Sequence, residues 1–148
     1  MGSNFFKRIF VITILYSAAI ASVSAADIVI GQSAPLTGGN AELGNDIRRG
    51  ANAYFSKIND AGGVNGSKIR FITLDDKNDA KTAGENARLL IQNEKAIALF
   101  GFASATVSLP AMPHVLANKV PFFAPFTGAD TIRKQNDFVY TIRATYNE

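Results

Sequence analysis

The sequence predicts an α/β fold of the Rossmann-like type, a parallel sheet with helices on both faces. Short β-branched or apolar runs alternate along the chain with segments whose apolar residues recur every three or four positions. One of these runs, residues 96–100 (A-I-A-L-F), is apolar throughout, as expected for a strand buried on both faces. Connections between parallel strands are right-handed crossovers, so the winding is of the Rossmann or flavodoxin type.

The first strand, loop and helix follow directly from residue type. Residues 27–31 (D-I-V-I-G) are β-branched and end in glycine, which predicts a strand. The Gly-rich segment 33–44 predicts a loop. Helical spacing then runs over residues 45–59, and the glycines at 62–63 end that helix.

The rest of the chain continues the alternation. Residues 68–74 predict the second strand, and Asp79 is placed to cap a helix that runs to about Asn93. The remaining predicted elements are a strand at 96–100, a loop at 102–106, a helix to about Asn118, a strand at 120–124, a loop at 125–130 and a strand at 138–142.

The N-terminus has the three parts of a secretory signal peptide. Two basic residues precede the apolar or small residues 9–21, and residues 23–25 (V-S-A) supply the small side chains that a signal peptidase reads. A membrane anchor is the alternative, but a spanning helix needs about 20 apolar residues and this run is shorter. We therefore expect residues 1–25 to be a signal peptide, cleaved near Ala25 or Ala26.

The charge of the mature chain argues against a nucleic-acid surface. Lys7 and Arg8 are two of the fifteen basic residues, which leaves thirteen basic against twelve acidic residues after cleavage. No basic stripe interleaved with aromatic residues remains, so we expect no nucleic-acid partner. The chain has no cysteine and one histidine, His114, so we expect neither a disulfide, a metal site, a cofactor nor a His-based triad.

The fold class predicts where a ligand would bind. Ligands of open parallel sheets bind beyond the carboxyl ends of the strands where the strand order reverses, which in the commoner five-strand order lies between the first and third strands. Loops 33–44 and 102–106 lie there, with loop 125–130 nearby. All three consist of small, glycine-rich or hydroxyl-bearing residues, which allow a small ligand to approach the backbone.

Loop 102–106 is the most informative of the three. It opens a predicted helix, so its free N–H groups and the positive end of the helix dipole attract an anion such as a carboxylate. The hydroxyls of Ser104 and Thr106 can add hydrogen bonds to that anion. The alternative is that one of these two residues serves only as the N-cap of the helix.

The acidic pair Asp75-Asp76 has two interpretations. It suggests a metal or phosphoacceptor site like that of response-regulator receivers. Those domains place the acidic pair after the first strand and an acceptor after the third, whereas here the pair follows the second strand and Gly101 follows the third. We therefore predict a structural role in the turn and at the start of the next helix.

Three segments carry a family resemblance. They are G-x-x-A-P-L-T-G at residues 31–38, I-N-D-A-G-G-V-N-G-S-K-I-R-F-I-T-L-D-D-K-N-D-A at 58–80 and V-P-F-F-A-P-F-T-G-A-D at 120–130. Over essentially all of residues 27–148, the chain resembles the solute-binding proteins of branched-chain amino-acid ABC transporters, the leucine/isoleucine/valine-binding family. The resemblance implies a two-lobed periplasmic clamshell that binds its ligand in the cleft between the lobes.

The resemblance also implies the ligand contacts. The loop after the third strand would hold the ligand carboxylate, and the loop after the fourth would meet the α-amino group through a carbonyl and a hydroxyl. Family members often carry Ser or Thr in place of Ala105, and a Thr near Gly128, so carboxylate binding here would depend more on backbone N–H groups. The implied ligand-binding residues are Ser104, Ala105, Thr106, Phe126, Thr127, Gly128 and, in the first loop, Leu43.

As a function, the resemblance implies a periplasmic substrate-binding component that delivers an amino acid or related small carboxylate to an ABC permease in the membrane. A sensory or regulatory extracellular ligand-binding domain of the same fold is the alternative. An exported enzyme has the least support, because no nucleophile–base pair or metal cluster is visible. The chain stops soon after the strand at 138–142, so we expect residues 26–148 to be the N-terminal part of a truncated first lobe.

Overall fold

The computed structural model describes residues 26–133 and 137–147, and the predicted signal peptide lies outside them. A five-stranded parallel sheet with the order β2-β1-β3-β4-β5 confirms the α/β prediction and places the switch point between β1 and β3. The strands are β1 (Ile28–Ala34), β2 (Ile69–Asp75), β3 (Ala98–Phe100), β4 (Phe122–Phe123) and β5 (Val139–Tyr140). The helices are α1 (Ala41–Asp60), α2 (Ala80–Gln92), α3 (Ala105–Ser108), α4 (Met112–Asn118) and α5 (Asp130–Arg133).

Strand β1 is the best paired strand of the sheet. Its seven residues all pair with β2, and Ile30 and Gly31 also pair with β3 on the other side. The β3–β4 and β4–β5 ladders contain two residue pairs each, so the sheet narrows toward β5. Strand β4 is shorter than the predicted strand 120–124, because the backbone turns at Ala124, whose φ of 54° is left-handed.

Helix α1 begins earlier than predicted, and the first loop is correspondingly shorter. Strand β1 runs to Ala34 and α1 starts at Ala41, so only residues 35–40 form the loop that the sequence had placed at 33–44. The sequence pattern assigned Gly44 to the loop, but Gly44 lies within α1, where its lack of a side chain lets the helix pack closely against the loop. A Cβ built on Gly44 would lie 2.0 Å from the Pro35 carbonyl oxygen, so any side chain there would push α1 away from the loop.

Helix α2 covers one face of the sheet. Leu90 of α2 is fully buried, and a Cβ built on Gly31 of β1 would lie 3.0 Å from the Leu90 Cβ. The missing side chain at Gly31 therefore lets α2 pack directly against the centre of the sheet. Burial of a leucine of this kind contributes about 1.5–3 kcal/mol. The same hydrophobic core includes Val29, Ala87, Leu99, Phe102, Val107, Met112, Val115, Phe122 and Ile132.

Helix α1 covers the other face through aromatic contacts. Phe55 meets Phe71 of β2 and Phe100 of β3 edge-to-face, with ring centroids 5.2 and 6.1 Å apart. Toward β5 this face is open, because Phe123 and Tyr140 stack on each other but remain 42% and 50% exposed. An apolar groove of about 580 Å³ lies between α1 and these strands. Helices therefore lie on both faces, as predicted, with β4 and β5 partly uncovered among the described residues.

The predicted helix after β3 is divided into three pieces. Helix α3 ends at Ser108, a 3-10 turn follows at Leu109–Ala111, and α4 begins at Met112. Pro110 and Pro113 explain the break, because a proline has no N–H for the helical ladder and its ring crowds the preceding turn. Within residues 26–133 and 137–147, no helix is both long enough and apolar enough to cross a membrane.

Candidate functional site

Backbone hydrogen bonds join the loops that follow β3, β4 and β5. The Phe126 N–H donates to the Phe102 carbonyl at 2.8 Å, and the Tyr146 N–H donates to the Gly128 carbonyl at 3.1 Å. We call residues 101–106, 124–129 and 141–147 the edge loops. Since parallel strands present their carboxyl ends on one side of a sheet, the edge loops form one surface at the predicted ligand position.

The first edge loop carries Ser104, Ala105 and Thr106. Ser104 occupies the N-cap position of α3, but its side chain makes no capping hydrogen bond. Its Oγ instead lies 3.5 Å from Asn78 Oδ1 in the loop after β2. Ala105 is half-buried and Thr106 is exposed. The four-residue α3 is too short for a long helix dipole, so this loop offers hydroxyls and the N–H groups that every first helical turn leaves without helical acceptors.

The second edge loop carries Phe126, Thr127 and Gly128. Phe126 is half-buried, whereas Thr127 is only 1% exposed. The Thr127 hydroxyl accepts a hydrogen bond from the Ala129 N–H at 3.1 Å and lies 3.3 Å from the Tyr146 hydroxyl. The structure therefore encloses the Thr127 hydroxyl in contacts within the protein.

Gly128 is required by the close approach of the third edge loop. A Cβ built on Gly128 would lie 2.7 Å from the Ala144 carbonyl oxygen and 2.8 Å from the Tyr146 ring. Both distances are shorter than a carbon contact permits, so a side chain would separate the second and third edge loops.

Arg143 and Tyr146 complete this surface, and the sequence analysis missed both. The Arg143 guanidinium lies over the Phe126 ring, 4.9 Å from its centroid, and 5.8 Å from the centroid of the Tyr146 ring. The hydrogen bond between the Thr127 and Tyr146 hydroxyls, with smaller effects of the Gly128 backbone and the nearby guanidinium, lowers the pKa of Tyr146. The available signal was a basic residue followed three positions later by an aromatic residue, directly after the last predicted strand.

Asp75 fixes the loop after β1. Its carboxylate accepts hydrogen bonds from the Leu36 N–H at 2.9 Å, the Thr37 hydroxyl at 2.6 Å and the Lys77 N–H at 3.0 Å. Desolvation acts to raise the pKa of Asp75, but the hydrogen bonds outweigh it and lower the pKa below its ordinary value. Asp75 therefore ties the start of the first loop to the turn after β2.

Asp76 lies beside it but is fully buried. It accepts hydrogen bonds from the Ser33 hydroxyl and the Asn78 N–H, both at 2.8 Å. Desolvation by burial raises the pKa of Asp76 despite these bonds, and the neighbouring carboxylates of Asp75 and Asp79 add to the rise. Asp76 thereby positions Asn78, whose amide oxygen is the neighbour of Ser104.

These contacts support the structural interpretation of the acidic pair. The Asp79 carboxylate accepts from the Thr82 N–H at 2.7 Å, which confirms the predicted cap of α2. The oxygens of Asp75 and Asp76 are used by N–H and O–H donors of the protein. The described part of the chain contains no group of three or more His, Cys, Asp or Glu residues arranged to hold a metal ion.

Leu43 lies apart from the other predicted contacts. The sequence placed it in the first loop, but it belongs to the first turn of α1 and is 37% exposed. With Gly39, Asn40, Glu42 and Asp46 it lines a groove of about 320 Å³. The structure thus joins the predicted residues of the first two edge loops, whereas Leu43 faces a separate groove.

Comparisons with known proteins identify the family of the chain. A family model described as periplasmic binding protein matches residues 27–148. The amino acid binding protein of Pseudomonas aeruginosa is 42% identical over 86 residues, which cover 58% of this chain and 23% of that protein.

Solved structures give the same result. A possible leucine/isoleucine/valine-binding protein from Rhodopirellula baltica has a TM-score of 0.79 at 31% identity, covering 86% of this chain and 34% of that one. A solute binding protein of an ABC transporter from Rhodopseudomonas palustris, solved with 3,4-dihydroxybenzoic acid, has a TM-score of 0.73 at 28% identity, covering 81% of this chain and 32% of that one. This chain therefore spans at most 34% of the length of these proteins.

The match covers nearly all the described residues, and the parallel sheet superimposes on solved members of the same group. The resemblance inferred from the sequence motifs is thereby confirmed, and the chain belongs to the periplasmic binding protein family.

Proposed function

We propose that residues 26–148 form the front part of one lobe of the substrate-binding component of an ABC importer. The ligand is an amino acid or a related small carboxylate, held in a cleft between two lobes. The observation that carries this proposal is the joining of the edge loops, which gathers hydroxyls, N–H groups and a guanidinium at the carboxyl ends of the strands. Relatives named for amino acid binding, or solved with 3,4-dihydroxybenzoic acid, support this ligand range.

In this proposal the first edge loop receives the ligand carboxylate. The Ser104 hydroxyl does not cap α3, and its donation to Asn78 Oδ1 is long at 3.5 Å, so a carboxylate oxygen can replace that acceptor. Thr106 is exposed and adds a second hydroxyl. Ala105 contributes only its backbone N–H, in the first turn of the helix.

The second edge loop and α1 shape the rest of the site. The Phe126 carbonyl supplies an acceptor for a polar group of the ligand. Thr127 acts by holding Tyr146, and Gly128 acts by letting the third edge loop approach. Leu43 lines a separate groove on α1, so in this proposal it makes an apolar contact only with a ligand that extends from the edge loops toward that groove.

The proposal also implies the compartment in which the protein acts and the membrane protein with which it works. Cleavage of the predicted signal peptide near Ala25 or Ala26 would release a mature periplasmic protein. The second partner, besides the ligand, is a permease in the membrane. The protein binds and delivers its ligand without a cofactor and without chemical conversion.

Titration of the chain with the standard amino acids and with small organic acids, followed by two-dimensional NMR, tests this function. We expect the amide signals of residues 104–106 and 126–128 to shift on addition of at least one ligand. Ser104→Ala removes one hydroxyl donor and weakens binding by about 1 kcal/mol, roughly fivefold. Ser56→Ala, at an exposed position on α1, is the matched control and leaves binding unchanged. Turnover of any of these ligands, or amide shifts confined to residues outside the edge loops, would contradict the proposal.

A further inference from the structure

Ser104 occupies the N-cap position of α3 without capping the helix. Serine is a preferred N-cap residue, because its hydroxyl oxygen accepts a hydrogen bond from the N–H group two or three positions later. Here those groups belong to Thr106 and Val107, and the Ser104 side chain makes no such bond. A helix that lacks this bond loses about fivefold in its folding equilibrium constant. The missing cap is explained if another group holds the hydroxyl elsewhere.

Asn78, in the turn after β2, is in the position to hold it. The Asn78 Oδ1 lies 3.5 Å from the Ser104 Oγ. Because the strand order is β2-β1-β3, this contact crosses the carboxyl end of β1, next to the switch point of the sheet. The contact is long for a hydrogen bond, so it orients the hydroxyl without binding it tightly.

The backbone around Asn78 is itself fixed. Its φ of 60° is left-handed, a conformation that asparagine tolerates better than most residues. The Asn78 N–H donates to the buried Asp76 carboxylate at 2.8 Å, and the same carboxylate accepts from the Ser33 hydroxyl. The turn is therefore anchored to the ends of β1 and β2, and its anchoring places the Asn78 amide opposite Ser104.

We infer that Asn78 is a positioning residue of the candidate site, which keeps the Ser104 hydroxyl off the N-terminus of α3 and available to the ligand. The inference rests on the proposed function, in which Ser104 meets the ligand carboxylate, and it adds the loop after β2 to the site. A ligand carboxylate replaces Asn78 Oδ1 as the acceptor at the cost of one long hydrogen bond. A serine that capped α3 would instead lie over the first turn of the helix and would have to leave it.

Amide hydrogen exchange in the ligand-free chain tests the inference. Asn78→Gly removes the side chain and keeps the turn, because glycine adopts positive φ without strain. We expect Ser104 then to cap α3, so the amides of Thr106 and Val107 should exchange about fivefold more slowly than in wild type, relative to the amides of β1. Asn78→Asp, which keeps an acceptor in the same place, should retain the wild-type rates. Lys77→Gly, at the neighbouring exposed residue with φ 53°, is the matched control and should also retain them.

Urea unfolding of paired variants gives a second measurement without ligand. In wild type, Ser104→Ala should change the folding equilibrium constant little, because no cap is lost. In the Asn78→Gly background, the same substitution should lower that constant about fivefold, because it then removes a cap. With leucine as the probe, NMR titration should show about fivefold weaker binding to Asn78→Gly than to wild type, since Ser104 must leave the helix to meet the carboxylate.

The outcomes separate the inference from the function on which it rests. Unchanged exchange of Thr106 and Val107 in Asn78→Gly overturns the inference, because another contact then holds Ser104. An equal effect of Ser104→Ala in both backgrounds overturns it as well, and so does equal affinity of wild type and Asn78→Gly for leucine. The first two measurements use no ligand, so they can fail while the ligand titrations still support the proposed function. If Asn78→Gly does not fold, Asn78→Ala, which also lacks the amide, takes its place in each measurement.

Discussion

The Ser33 hydroxyl donates a 2.8 Å hydrogen bond to the buried Asp76 carboxylate, and this bond joins the ends of β1 and β2 beneath the candidate site. Asn86 of α2 extends the network by donating to Ser33 Oγ and to the Asp75 carbonyl, each at 3.1 Å. The same Asp76 carboxylate accepts from the Asn78 N–H. Two neighbouring strand ends, one helix and one turn therefore depend on a single buried acid.

Asp76→Ala should destabilise the fold more than loss of the neighbouring helix cap does. The substitution leaves the Asn78 N–H without its acceptor and removes a partner of Ser33, which costs about 3 kcal/mol. Asp79→Ala removes an exposed cap and should cost less. Urea unfolding followed by circular dichroism measures both midpoints. An Asp76→Ala midpoint no lower than that of Asp79→Ala would contradict the structural role assigned to Asp76.

The titration of Asp76 should make the stability of the fold depend on pH. Its pKa in the folded state is raised above the ordinary 3.8, so the folded state binds its proton more tightly than the unfolded state does. The resulting stabilisation is complete below pH 3.8 and is lost as the pH rises through the folded-state pKa. Asp76→Asn removes this titration, so wild type should gain stability relative to the variant as the pH falls from 7 toward that range. Urea titrations at several pH values measure the difference, and a difference that does not change with pH would refute the assignment.

The contribution of Asp75 to stability should depend on pH in the opposite direction to that of Asp76. Its pKa is lowered, so its contribution is present above pH 3.8 and is lost as the pH falls through the folded-state value. Asp75→Asn should therefore lose its effect on stability in acid, where wild type has lost the same contribution. Because Asp75 is partly exposed, this effect should be small next to that of the buried Asp76.

Two glycines of α1 should respond oppositely to alanine. A Cβ at Gly44 would collide with the Pro35 carbonyl, whereas a Cβ at Gly50 meets nothing within 4 Å. Gly44→Ala should cost about 1–3 kcal/mol through forced displacement of the helix. Gly50→Ala should stabilise by about 0.5–1 kcal/mol, because alanine has the higher helix propensity. Thermal unfolding of the pair measures both signs, and equal effects would show that α1 does not pack on Pro35 as described.

These glycines also show how far the sequence could predict the fold. The strands and Asp79 were predictable, because β-branched runs and a capping carboxylate act through neighbours in sequence. The start of α1 was not, because the need for glycine at residue 44 comes from Pro35, which only the folded loop brings close. The break after α3 had a local signal in Pro110 and Pro113, and the helical periodicity alone concealed it.

The residues of the candidate site were likewise only partly predictable from the sequence. Ser104 was predicted because it follows a strand, and the carboxyl ends of parallel strands meet on one side of the sheet, whereas Phe126 was predicted as a ligand contact only from the family resemblance. Arg143 and Tyr146 were missed because their partners are distant in sequence. The Thr127–Tyr146 contact spans 19 residues and depends on the pairing of β4 with β5, which the local pattern does not specify.

Gly128→Ala should separate the edge loops without unfolding the sheet. The new Cβ would overlap the Ala144 carbonyl and the Tyr146 ring, so the bond from the Tyr146 N–H to the Gly128 carbonyl should break. The amide signals of residues 143–147 should then exchange with solvent faster in NMR hydrogen-exchange experiments, while those of β1 and β2 keep their protection. Gly39→Ala, where a Cβ meets nothing within 4 Å, is the control and should change neither group. Unchanged protection at Tyr146 in Gly128→Ala would show that the third edge loop is not held by this contact, and the position of Arg143 over Phe126 would then lose its structural basis.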